Sequence, residues 1–169
     1  SSAPEIVPVP RHVPVGDTFN RANTANGLGS TNVGVSARAW QVFSGTWGIS
    51  GKQAYMSAPG GAPALAVFDV GEKAYSITWT IGVEVAGWNG YVIRHGDSGY
   101  YFFSMNGANL TLYRTPTTVV HNFGAVSLDP GDLLRADVDG LSVEVFLNDV
   151  SLGVTAMTMY DTYQNVGFR

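Results

Sequence analysis

Between Tyr75 and Val85 the sequence alternates without a break. Tyr75, Ile77, Trp79, Ile81, Val83 and Val85 are apolar; Ser76, Thr78, Thr80, Gly82 and Glu84 are small or polar. A period of two held over that length dictates a strand with one face in a core and one facing water. Leu134, Ala136 and Val138 repeat the pattern, as do Leu141, Val143, Val145 and Leu147. Asp139-Gly140 between those two runs is a hairpin signal. Further strands are expected at 40–43, 46–50, 53–57, 64–70, 90–95, 100–106, 110–114, 119–126 and 166–169, and Asn148-Asp149 reads as another strand-to-strand turn. Turn-forming pairs such as Ser50-Gly51 and Asn106-Gly107 separate most of them. No segment keeps a 3.6-residue period for three turns. Short strands at regular spacing predict an all-β fold, a two-sheet antiparallel sandwich.

Length fits one domain, large enough to bury a core without staples. That matters because the 169 residues include no cysteine, which removes thiol nucleophiles, thiolate metal sites and disulfides. The net charge of −4 comes with no basic run, so neither nucleic acid nor an anionic lipid surface is an expected partner. No stretch of 18 apolar residues predicts a membrane span, and the start lacks the basic-then-apolar pattern of a signal peptide. Prolines at 4, 8, 10 and 14 favour an extended, stiff linker or an arm lying on a neighbour over residues 1–16, the alternative being a frayed terminus. The sandwich is expected over 17–169.

Tyr100-Tyr101-Phe102-Phe103 departs from simple alternation, with aromatics on both faces. Such a strand is covered on both sides, or its second face lines a groove.

Several short runs, in order, carry a resemblance: Asp17-Thr-Phe-Asn-Arg21, Leu28-Gly29, Trp40-Gln-Val, Gly45-Thr-Trp-Gly-Ile49, Val92-Ile-Arg94, Asp97-Ser-Gly-Tyr-Tyr101, Leu133-Leu-Arg135, Val145-Phe-Leu-Asn148 and Val166-Gly-Phe-Arg169. Together they resemble the concanavalin A-like lectin/glucanase family, which implies a jelly roll. The opening, from Asp17 to Ser50, is similar to modules of actinobacteriophage minor tail proteins and of secreted actinobacterial proteins. That implies a virion or extracellular setting, with a host surface as partner.

Glucanases of this fold cleave with two carboxylates on one strand, roughly 5 Å apart. Their Glu-x-Asp signature is missing here. Asp137 and Asp139 share a face but read as a solvated residue and a turn residue, so a glycoside hydrolase is the weakest of the functional readings. No cofactor is expected. For a metal, the resemblance implies a structural calcium where first and last strands meet, with Asp17 and Asp161 as ligands. The competing reading makes both turn-forming Asx residues. For binding, sugars need aromatic faces beside amide, acid and arginine groups. Trp88, Asn89, Tyr91, Arg94, His95, Asp97 and Tyr100 supply these within one segment, with Tyr113 on a neighbouring strand. Each also has a packing reading, while Trp40, Trp47 and Trp79 are core residues by position. The leading expectation is therefore a non-catalytic module that binds a cell-surface or cell-wall glycan. The alternative is a structural assembly domain, for example of a homotrimer.

Overall fold

The computed structural model describes residues 16–34, 36–58, 64–82 and 90–169. Strands form where alternation and turn signals predicted them, with one more, Val150–Ala156, that only the Asn148-Asp149 turn announced. They are β1 (Gln41–Ser44), β2 (Thr46–Ser50), β3 (Gln53–Ala58), β4 (Leu65–Asp69), β5 (Tyr75–Thr80), β6 (Tyr91–Gly96), β7 (Gly99–Asn106), β8 (Asn109–Arg114), β9 (Thr118–Ala125), β10 (Leu133–Asp139), β11 (Ser142–Leu147), β12 (Val150–Ala156) and β13 (Asn165–Phe168). Seven form one antiparallel sheet, ordered β1-β4-β13-β6-β7-β8-β9. Four form a second, β12-β11-β10-β5, and β2-β3 is a separate hairpin. The fold is the expected antiparallel β-sandwich. The proline-rich arm, apart from Gly16, lies outside the described residues.

The core follows the period-two reading. Tyr75, Trp79, Leu134, Ala136, Val138, Val143 and Val145 from the four-stranded sheet meet Phe68, Ile93, Tyr101, Phe103, Leu110, Leu112 and Val166 from the seven-stranded one. Two expectations change in detail. The long strand pairs only to Thr80, because Ile81 bonds the turn at Gly131 and Asp132 instead of continuing the ladder; Val83–Val85 lie outside the described residues. In the next hairpin Asp139 pairs with Ser142, so Gly140 and Leu141 form the turn, and Leu141 is exposed rather than buried. Asn148-Asp149 does close β11 onto β12, both with positive φ (49° and 65°), as a type I′ hairpin turn requires.

The strand aromatic on both faces is covered on both. Tyr101 and Phe103 point between the sheets. Tyr100 and Phe102 join Leu65, Val67, Val92 and Tyr113 in a second cluster on the outer face of the large sheet. The site described next is built on that outer face.

Candidate functional site

An irregularity in β6 sets up the site. Val92 faces outward and Ile93 inward, so plain alternation would turn His95 into the core. Instead the register shifts between Ile93 and Gly96, and Arg94 adopts φ 49°. This β-bulge re-aims the following side chain. His95 then lies on the outer face, its ring 4.7 Å from Phe43 and 5.5 Å from Tyr100. Arg94 turns inward and is fully buried. Its backbone N–H donates to the Tyr75 hydroxyl (3.2 Å), and its guanidinium donates to the Gly140 carbonyl in the opposite sheet. Nε and Nη1 of Arg94 have no partner.

Outer-face rings continue across the sheet. Tyr100 is 5.9 Å from Phe102, and Phe102 stacks on Tyr113 at 5.2 Å. Five rings thus run from Phe43 on β1 to Tyr113 on β8. Their exposure is uneven: Phe43 is 56% exposed, Phe102 1% and Tyr113 4%. At the open end lies a cleft of about 610 Å³, lined by Phe43, His95, Asp97, Tyr100, Pro116 and Arg169 among others.

Local contacts fix the walls. Gly96 lies beneath the Tyr163 ring, where a Cβ would come within 2.4 Å of ring carbons. Tyr163 stacks on Tyr160 (5.5 Å, 7°), and its hydroxyl accepts from the Ser98 N–H. The turn carrying Asp97 is thereby clamped by the Tyr163 ring. Arg169 is anchored by two backbone bonds with Gly90, and its guanidinium sits 4.1 Å from the Phe102 ring centre. Burial holds the His95 imidazole below its ordinary pKa, with the Asp97 carboxylate pulling weakly the other way. Burial also pushes the Tyr100 phenol up, against the pull of nearby Arg169.

Of the residues expected at a sugar site, the cleft brings together His95, Asp97 and Tyr100. Three others are placed elsewhere. Tyr91 is half-buried against Trp79 (5.4 Å), Arg94 lies between the sheets, and Tyr113 is covered beneath Phe102's stack. Trp88 and Asn89 lie outside the described residues. Phe43 and Arg169 were not expected. The bulge and the return of β13 beside β6 bring them in, and neither leaves a periodic signal in the sequence.

The Asp17 carboxylate is occupied by protein donors. Oδ1 accepts from Arg21 Nη1 and the Phe19 N–H, and Oδ2 from Arg21 Nη2 and the Trp40 indole, at 2.7–2.8 Å. The bond to Phe19, two residues on, is the Asx-turn geometry. Asp161 is an exposed turn residue. Among the described residues no three His, Asp or Glu side chains gather as metal ligands.

No protein-family model and no curated protein matches the sequence. Among solved structures the chain is similar to the carbohydrate-binding module CBM66 from Bacillus subtilis. The TM-score is 0.57 at 10% identity, covering 76% of this chain and 84% of that one. The likeness is one of fold.

Proposed function

We propose that this chain is a non-catalytic carbohydrate-binding module that takes a cell-surface glycan into the cleft between Phe43 and Arg169. The observation that carries the reading is the composition of that cleft. An exposed aromatic face, Phe43, stands beside one carboxylate, one guanidinium and the Tyr100 ring. Sugar C–H faces stack on such rings, and hydroxyls bond the charged groups. Glycan cleavage requires a second carboxylate, and Asp97 is the only acid among the described residues that line the cleft. The fold shared with a carbohydrate-binding module supports the reading. The finer setting, a host-facing module of a phage tail or of a secreted protein, rests on the sequence resemblance.

A glycan array with wild type, Phe43→Ala and Trp88→Ala tests it. Phe43→Ala is expected to weaken binding by roughly tenfold, the scale of one lost ring contact, while leaving the melting temperature unchanged. Wild type that binds no cell-wall or surface polysaccharide would remove the proposal.

A second reading, assembly, is favoured by β12. It is an edge strand with Val150 66% and Val154 57% exposed, the pattern through which sheets associate. Sedimentation at high concentration separates the two: a monomer sinks the assembly reading.

A further inference from the structure

We infer that the glycan is an acidic one, and that Arg169 reads its anionic group. The inference rests on the carbohydrate-binding reading and names the ligand class of the same cleft.

Arg169 is the only Arg or Lys among the described residues lining the cleft. Its backbone is fixed by donating to the Gly90 carbonyl (2.9 Å) and accepting from the Gly90 N–H (3.0 Å). Its stem lies over Gly90, where a Cβ would come within 2.4 Å of Arg169 Cγ. Its head rests on Phe102. The side chain also bonds the Tyr100 phenol, and a guanidinium, with five N–H donors, can take a planar, two-oxygen partner besides. No carboxylate of a described residue takes that place: the ion pairs among the described residues are Arg21–Asp17 and those of Arg135 with Asp137 and Asp149. The cleft therefore holds a pre-positioned, half-buried cation that makes no ion pair with a described residue, in a chain whose net charge is negative.

Asp97 sits at the other end of β6 and is exposed. It repels a bare anion but accepts hydroxyl hydrogens. His95 supplies no competing positive charge near neutral pH, since burial disfavours its protonated form. A ligand that suits all of these carries hydroxyls at one end and a carboxylate or phosphate at the other, with a C–H face for Phe43. Uronic-acid polymers and sugar-phosphate polymers both satisfy that description.

The test is calorimetric titration of the protein with matched polymers: a neutral glucan, its glucuronate counterpart, and a phosphodiester-linked polyol-sugar polymer. The acidic members are expected to bind roughly tenfold or more tightly than the neutral one, the factor a charge-assisted bidentate contact supplies. The carboxylate and phosphate arms show which anion is read. Arg169→Gln should abolish the preference and Arg169→Lys should keep part of it, both with unchanged thermal melts. Added salt should weaken the acidic arms alone. Equal wild-type binding to neutral and acidic polymers would overturn the inference and leave the carbohydrate reading standing. A preference that survives Arg169→Gln would also overturn it. Binding to no glycan at all would overturn both.

Discussion

Asp17 shows how much one residue can hold in place. Its side chain is 1% exposed, paired to Arg21 at 2.8 Å and bonded to the Trp40 indole. Trp40 in turn packs on Phe68 and Phe168. Asp17→Ala would strand the Trp40 indole N–H and leave the part-exposed Arg21 guanidinium with the Leu28 carbonyl and water. The expected loss is about 2 kcal/mol, the scale of leaving a covered donor unsatisfied, measurable by urea denaturation. A loss below about 1 kcal/mol, typical of surface pairs, would show that water replaces the carboxylate freely. Arg94 should behave in the opposite sense. It is buried with two unpartnered guanidinium nitrogens, and its one side-chain bond goes to a carbonyl. Arg94→Met removes a desolvated charge at similar volume. Stability is expected to stay level or rise by up to about 2 kcal/mol. A marked fall on the same urea assay would mean that the guanidinium has a counter-charge in solution.

At the scale of elements, the β6–β7 turn couples packing to the cleft. Gly96→Ala pushes a methyl into the Tyr163 ring, which is held by its stack on Tyr160 and by its bond from Ser98. Overpacking of this kind costs about 1–3 kcal/mol. Because Asp97 follows directly, glycan affinity should fall together with stability, and titration alongside thermal melting checks whether the two move as one. Strands were legible in the sequence wherever one face is buried, as in β5, β10 and β11, because period two is what such burial selects. β12 left only its turn to read. Its register shifts opposite Val145 and Phe146, and Val150 and Val154 face water, so apolar identity and burial part company there. The site was half legible for the same reason. His95, Asp97 and Tyr100 cluster in sequence. Arg94 was misleading because a bulge, which depends on one residue's φ, decides which of two neighbours faces out. Phe43 and Arg169 arrive from strands far apart in the chain, and only sheet order brings them to His95.

For the molecule as a whole, the cleft makes stability depend on pH in a definable window. The His95 pKa is lowered in the folded protein, first by burial between Phe43 and Tyr100, with Asp97 acting in the opposite sense. In the unfolded chain its pKa returns to about 6.5. Below that value the unfolded state binds a proton that the folded state resists, so acid favours unfolding. The contribution is fully present above about pH 7 and declines as pH falls below 6.5, by at most about 1.4 kcal/mol per pH unit. The decline stops at the lowered folded pKa. Asp132 acts in a separate range. Its carboxylate accepts from the Asn148 side chain and the Asp129 N–H, which hold its pKa below the ordinary value, so its contribution persists above about pH 4 and is lost only in stronger acid. Urea midpoints at pH 7.5, 6.5, 5.5 and 4.5 should therefore fall in wild type and stay flatter in His95→Phe, which keeps the aromatic contact without the titrating nitrogen. Parallel curves for the two proteins would show that His95 takes up its proton as readily folded as unfolded. The cleft floor would then be open to water at the base of the ring.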